Sequence, residues 1–263
     1  SSGALSLAKD GTCFKVTNCK FIANEVPAIG GASNMANGIL VENCYFEDNN
    51  TSNTNKPFIN ITIGGEHDVI IRNSEFVGAQ RTMVGGIAVS NMLSAAGKNN
   101  VIIEGNKVTG LRYGLTLTSG PMNAVIKDNE LVDNKYDTNP MNGGSGISLY
   151  DPYGYQNVMI EGNTITDNFW GITVIGGGNV NIGKTANPDA EDYNPGNNVF
   201  NNNGKTPEVG LEWAFVAFIT KYNFIKEADA WNPSWMTNAS VYCQYEMTTE
   251  KFENNESPVD EVF

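Results

Sequence analysis

One pattern recurs along this chain and limits its fold more than any other feature: apolar-x-apolar-x-(Asn/Gly/Asp)-(Cys/Ser/Asn)-x-apolar. Six copies are complete: Phe14-Lys-Val-Thr-Asn-Cys-Lys-Phe21, Ile39-Leu-Val-Glu-Asn-Cys-Tyr-Phe46, Val69-Ile-Ile-Arg-Asn-Ser-Glu-Phe76, Val101-Ile-Ile-Glu-Gly-Asn-Lys-Val108, Ala124-Val-Ile-Lys-Asp-Asn-Glu-Leu131 and Val158-Met-Ile-Glu-Gly-Asn-Thr-Ile165. A seventh is split, Val180-Asn-Ile-Gly183 resuming at Gly196-Asn-Asn-Val199. The third residues of successive copies lie 25, 30, 32, 23, 34 and 22 positions apart, which are the periods of a solenoid. A second element interleaves with the first: Gly86-Ile-Ala-Val89, Gly114-Leu-Thr-Leu117, Gly146-Ile-Ser-Leu149 and Gly171-Ile-Thr-Val174, with Phe58-Ile-Asn-Ile61 and Leu5-Ser-Leu7 as looser members. Each coil therefore carries at least two short strands separated by polar turns.

Alternation along a strand sends the first and third residues of each copy inward. The inner column Val16, Val41, Ile71, Ile103, Ile126, Ile160, Ile182 is uniformly β-branched, and Phe21, Phe46, Phe76, Val108, Leu131, Ile165 and Val199 form a second inner stack. Between them, Asn106, Asn129, Asn163 and Asn197 share one turn position, where stacked amides can bond from rung to rung. Cys19, Cys44 and Ser74 stand in the same column as small turn residues. The outward fourth-residue column reads Thr17, Glu42, Arg72, Glu104, Lys127, Glu161, an alternation of sign that cross-strand pairing favours. Beside it runs an apolar outward stripe of Leu40, Ile70, Ile102, Val125 and Met159. It is expected to be covered by a long connection, by the C-terminal segment, or by self-association with a partner surface.

These copies, with their Val-x-Ile-x-Gly-Asn-x-Ile and Gly-Ile-x-Val signatures, resemble the parallel β-helix repeats of the pectin-lyase-like superfamily over roughly residues 3 to 203. The resemblance implies an all-β right-handed parallel β-helix with three sheets per coil. Residues 1–203 are assigned to it, and 204–263 to an aromatic-rich C-terminal cap and acidic tail. Repeat proteins of this kind expose their core at each end, which a divergent apolar segment must close. Trp213, Phe215, Phe218, Tyr222, Phe224, Trp231, Trp235, Tyr242 and Tyr245 supply such a segment. A leucine-rich repeat is the rival at these periods, but leucines are sparse and no rung carries a helical pattern.

Members of the superfamily include polysaccharide lyases, glycoside hydrolases, epimerases, phage tail proteins and noncatalytic surface proteins, so the residues must decide function. The Asn-Thr-Asp, Asp-Asp and Gly-His-Gly motifs of polygalacturonase-like members are absent. The single histidine, His67, sits in a turn-like Gly64-Gly-Glu-His-Asp68. Lyases of this fold use Arg or Lys to abstract a proton beside carboxylate-held calcium. Arg72 belongs to the charge column, leaving Arg112 and Arg81 as candidates, with Asp137 and Asp151 from the following coil placed to approach Arg112. Asp151 with Glu212 could alternatively serve as a hydrolytic acid/base pair. No resident cofactor or metal site is expected, and calcium is the one ion the family would bring.

The outward column of the Gly-Ile-x-Val sheet, Asn60, Ala88, Thr116, Ser148, Thr173 and then Glu212, is small and hydroxylated. Around it come Tyr113, Tyr136, Tyr150, Tyr153, Tyr155, Trp170 and Trp213, whose faces suit sugar rings. Tyr113, Tyr150, Tyr153, Trp170 and Trp213 are the ligand-binding candidates, and Arg112, Asp151 and Glu212 the catalytic ones. The expectation is a secreted or cell-surface protein that binds or processes polysaccharide, the enzymatic form being a lyase or glycoside hydrolase. The alternative is a noncatalytic adhesive or self-assembling surface protein.

The formal net charge of −13 opposes nucleic acid and anionic membranes as partners, and opposes polyanionic glycans unless a cation bridges them. No apolar run reaches the length needed to span a bilayer, and Ser1-Ser2-Gly3 carries no signal pattern ahead of the strand-like Leu5-Ser-Leu7. The chain is thus expected to start after a removed signal or to be part of something longer. Cys13, Cys19, Cys44 and Cys243 lack paired metal-ligand spacing and leave the redox compartment open.

Overall fold

A computed structural model describes residues 3–7, 13–33, 38–91, 97–137, 143–151, 153–176, 179–183, 189, 191, 196–201, 203, 213–219 and 244–246. The chain winds as a right-handed parallel β-helix with three sheets. Sheet I holds the Val-x-Ile strands in chain order: Cys13–Thr17, Gly38–Glu42, Asp68–Arg72, Asn99–Glu104, Met122–Lys127, Gln156–Glu161 and Asn179–Asn181. Sheet II holds the short strands that follow them, Lys20–Ile22, Tyr45–Glu47, Glu75–Val77, Lys107–Thr109, Glu130–Val132, Thr164–Thr166 and Val199–Asn201. Sheet III is the Gly-Ile-x-Val sheet: Leu5–Ser6, Ile29–Ser33, Ile59–Ile63, Ile87–Ser90, Leu115–Thr118, Ser145–Asp151, Trp170–Gly176 and Trp213–Ile219, with Gln244–Glu246 added antiparallel at its end. The rest of the expected C-terminal cap lies outside the described residues.

Period-two alternation builds the core. In sheet I, Val16, Val41, Ile71, Ile103 and Ile126 are stacked in register and buried. In sheet II, Phe21, Phe46 and Phe76 stack ring on ring, with centroids 5.1 and 4.5 Å apart and nearly parallel planes. Sheet III contributes Ile29, Ile59, Ile87, Leu115, Ile147 and Ile172, all fully buried. The charge column is as its sequence order requires: Glu42, Arg72, Glu104, Lys127 and Glu161 are successive partners. Arg72 reaches Glu42 at 2.7 Å and Glu104 at 3.7 Å, and Lys127 reaches Glu104 at 3.3 Å.

The turn between sheets I and II explains the Asn/Gly/Asp position of the repeat. Asn18, Asn43, Asn73, Gly105, Asp128, Gly162 and Asn197 all adopt positive φ there, between 50° and 66°, a region that asparagine, aspartate and glycine enter at least cost. The next residue forms the asparagine ladder. Asn106 Nδ2 donates to Asn129 Oδ1 (3.0 Å), Asn129 Nδ2 to Asn163 Oδ1 (2.9 Å) and Asn163 Nδ2 to Asn198 Oδ1 (3.0 Å). The last rung therefore differs from expectation by one residue. Asn198 rather than Asn197 joins the ladder, and Phe200 rather than Val199 pairs with Ile165 and enters the core. The split copy has one more residue before its turn than the pattern implied, so Asn197 takes the left-handed position and Val199 faces solvent.

A second ladder stands five residues further on, at the corner between sheets II and III. Asn134 N–H donates to Asn168 Oδ1 (2.9 Å) and Asn168 Nδ2 to Asn203 Oδ1 (3.1 Å), while each amide also donates to a carbonyl one rung below, at Val108, Leu131 and Ile165. At the other end of the molecule, Asn24 Nδ2 donates to Asn49 Oδ1 and Asn49 Nδ2 to the Phe21 carbonyl. Among the described residues no helix is long and apolar enough to cross a membrane.

Candidate functional site

Sheet III presents two outward columns. The first is Gly30, Asn60, Ala88, Thr116, Ser148 and Thr173, matched residue to residue across six strands. The following partner of Thr173 is Ala217, so Glu212 does not continue this column; Glu212 itself lies outside the described residues. The second column is Thr62, Ser90, Thr118, Tyr150 and Ile175, with Thr62 Oγ1 and Ser90 Oγ 2.8 Å apart. The face is therefore a strip of small and hydroxylated side chains, of which Ala88, Ser90, Thr116 and Thr173 are buried and Asn60, Thr62, Thr118 and Ser148 half-buried, with Tyr150 beside it.

Beyond Tyr150 the chain turns toward sheet I and carries two more exposed tyrosines. Tyr150, Tyr153 and Tyr155 are 42%, 66% and 51% exposed, while the other aromatics with described side chains are buried or half-buried. The rings of Tyr153 and Tyr155 stack with centroids 5.8 Å apart and planes inclined by 23°. Asp151 builds this turn. It is 2% exposed, and its two carboxylate oxygens accept the backbone N–H groups of Tyr155 (3.0 Å) and Gln156 (2.8 Å). A carboxylate engaged in this way anchors a loop; it is not presented to a ligand as an acid or base.

Arg112 stands at the opposite end of the sheet. It is buried, its Nε donating to Asp137 Oδ2 at 2.5 Å and its Nη1 to Asn55 Oδ1. Arg81, the other expected free cation, makes a two-pronged pair with Asp48 at 2.7 and 3.0 Å. Of the two acids expected near Arg112, Asp137 arrives and Asp151 does not. Thr118 pairs with Tyr150, so Asp151 aligns with Ser119, seven positions from Arg112 and roughly 20 Å away at the rise of a strand. Arg112, Asp151 and Glu212 are thus not gathered into one described centre.

The ligand-binding candidates divide likewise. Tyr150 and Tyr153 are surface groups, while Trp170 is buried at 5% exposure and offers no face to a ligand. Tyr113 belongs to the corner near Arg112, half-buried with its ring across the backbone of Gly85, and burial pushes its pKa up to about 12. Trp213 opens the last parallel strand, its side chain outside the described residues. Tyr155 is the additional aromatic that completes the patch. Its place among the tyrosines between Tyr150 and Gln156 was visible, but only the loop geometry set by Asp151 separates it from Trp170.

The apolar stripe of sheet I forms a second feature. Its outer face carries a groove of about 590 Å³ floored by Ile102, Val125 and Met159 and edged by Asn100, Asn123, Asn157 and Asn179. Those amides also form a ladder, Asn157 donating to Asn123 (3.0 Å) and Asn179 to Asn157 (2.9 Å). Among the described residues no group of three His, Cys, Asp or Glu side chains is arranged to hold a metal ion.

Comparison with known proteins agrees with this architecture: residues 2–187 match the family model described as a right handed beta helix region. No curated protein and no solved structure matches the chain.

Proposed function

We propose that this chain, which belongs to the right-handed beta helix family, is an extracytoplasmic protein that binds a neutral polysaccharide along the outer face of sheet III. The observation that carries this reading is the cluster of Tyr150, Tyr153 and Tyr155, held exposed by a buried carboxylate at the end of a hydroxyl-lined strip. Aromatic faces stack on the C–H faces of sugars, and the hydroxyls of Thr118, Thr62 and Ser148 are suited to exchange hydrogen bonds with sugar hydroxyls. The net charge of −13 supports a neutral glycan over a uronic-acid polymer. Arg112 in an ion pair and Asp151 turned into its own loop support binding over bond cleavage.

Titration against a panel of neutral polysaccharides tests the reading. At least one should be retained, and Tyr153→Ala with Tyr155→Ala should weaken it tenfold or more, about 1.4 kcal/mol. Binding that is absent throughout, or equal in parent and variant, rejects it.

A second reading, assembly of a noncatalytic surface protein through sheet I, is favoured by the groove over Ile102, Val125 and Met159. Sedimentation at rising concentration decides it: an oligomer dispersed by Val125→Lys supports assembly, and a monomer throughout removes it.

A further inference from the structure

The inner turn column that holds the asparagine ladder begins with two cysteines. Lys20 pairs with Tyr45, and the Tyr45 N–H donates to the Cys19 carbonyl at 2.9 Å, which sets Cys19 and Cys44 side by side on the first two rungs. Neighbouring strands lie about 4.8 Å apart, inside the Cα separation of about 4.4–6.8 Å that a disulfide spans. Both side chains leave the backbone in the same direction, because they occupy the same position of the same turn. The Cys44 thiol lies 3.2 Å from the Glu42 carbonyl of its own rung and 3.4 Å from the Val16 carbonyl one rung below, the carbonyl position that Asn106, Asn129 and Asn163 reach at Ile71, Ile103 and Ile126. The Cys19 thiol points to Thr17 O at 3.3 Å. Cys19 is part-exposed and Cys44 is buried. Burial pushes the Cys44 thiol above its ordinary pKa.

We propose that Cys19 and Cys44 form a redox pair that closes to a disulfide stapling the first rung to the second. At this turn position, where the rungs from Asn106 to Asn198 are tied by amide hydrogen bonds, the first rung meets the second through a weak thiol contact, and their side-chain amide tie, Asn24 to Asn49, lies five residues further on. The oxidant is a low-molecular-weight disulfide. The Cys19 thiolate attacks oxidised glutathione, forming a mixed disulfide and releasing one glutathione thiolate. The Cys44 thiolate then attacks Cys19 Sγ and expels the second, so two protein thiols lose two protons and two electrons and two glutathione molecules carry them away. The part-exposed sulfur is the entry point and the buried one the resolving group.

The test uses the full chain with Cys13→Ser and Cys243→Ser, leaving one pair. Incubation with oxidised glutathione should remove two hydrogen masses and leave no glutathione bound. Trypsin, cutting after Lys15, Lys20 and Arg72 but not between Lys56 and Pro57, should then release Val16–Lys20 joined to Phe21–Arg72. The denaturation midpoint should rise on oxidation. Adding Cys44→Ser to that chain should still permit folding, since Ser74 holds the same place in the next rung, but should trap glutathione on Cys19 and abolish the rise. A stable glutathione adduct with Cys44 still alkylatable after unfolding, or a linkage only between chains, overturns the proposal. Glycan binding at sheet III does not enter either outcome.

Discussion

Asn129 shows how much one side chain can hold in this fold. Its Oδ1 accepts from both the backbone N–H and the Nδ2 of Asn106, while its own Nδ2 donates to the Ile103 carbonyl and to Asn163 Oδ1, all out of contact with water. Asn129→Ala removes the acceptor and the donor together and leaves buried partners on both neighbouring rungs unmatched, at about 1–3 kcal/mol for each group stranded. We expect a loss of about 2–4 kcal/mol in urea unfolding. Asn157→Ala, in the solvent-facing amide ladder, should cost less than about 0.5 kcal/mol, because water replaces what is lost. A similar penalty for both would mean that burial does not govern the ladder. The inner ladder was legible because asparagine recurs at one place in the repeat. The second ladder carries a signal as regular, an asparagine five residues after each of Asn129, Asn163 and Asn198, but that signal falls in the turn after the repeat rather than inside it. The fates of Tyr153 and Trp170 had no such signal: both are aromatics beside a strand, and only the path of the neighbouring chain exposes one and buries the other.

The corner between sheets II and III is where strands of neighbouring coils are tied by side chains as well as backbone. Asp48 meets Arg81 there and Asp137 meets Arg112, while within a single coil Tyr136 donates to Asp133 Oδ2 at 2.6 Å. Tyr113 lies so close to Gly85 that a Cβ added to that glycine would stand 2.1 Å from the ring. Burial drives the pKa of Tyr113 and of Tyr136 up to about 12 from an ordinary value of 10, and the Asp133 carboxylate adds to the effect at Tyr136. Both groups are protonated in folded and unfolded chains below pH 10. Between pH 10 and 12 the unfolded chain gives up these protons first, so the stability associated with them is lost as pH rises through that window. Tyr113→Phe with Tyr136→Phe should flatten the fall in urea midpoint from pH 10 to 11.5, and an unchanged slope would place the alkaline sensitivity elsewhere. The ion pairs of this corner could not be read from sequence, since Arg112 and Asp137 are brought together by the course of a whole coil. Most strands could, because their periodicity survives the loops; Ile29–Ser33, whose Ile-Gly-Gly-Ala-Ser lacks apolar alternation, could not. At Asn197 and Val199 a long insertion interrupts the copy, and the repeat no longer marks the register there.

Along the whole molecule the repeat makes one coil nearly interchangeable with the next, and the charge column makes the exchange sensitive to parity. Asn99 pairs with Met122 across adjacent rungs, so excising residues 99–121 joins Lys98 to Met122 over about one strand spacing and removes a single strand from each of the three sheets. Ile71 then faces Ile126, Ser74 faces Asn129 and Ala88 faces Ser148, all pairings of kinds already present elsewhere in the solenoid. Stability in such arrays is close to a sum of rung and neighbour terms, so the shortened chain should still fold cooperatively at a lower midpoint. The electrostatics change in sign: Arg72 loses Glu104 and acquires Lys127 as its neighbour. In the parent, Lys127→Glu sets a third carboxylate between Glu104 and Glu161 and should cost about 1 kcal/mol at low salt, less as salt screens the column. In the shortened chain the same substitution trades repulsion from Arg72 and attraction to Glu161 for the reverse, so its cost should vanish. Measuring Lys127→Glu in both backgrounds by urea unfolding therefore tests the register of the entire helix. An equal penalty in the two chains would show that the column does not run unbroken from Glu42 to Glu161.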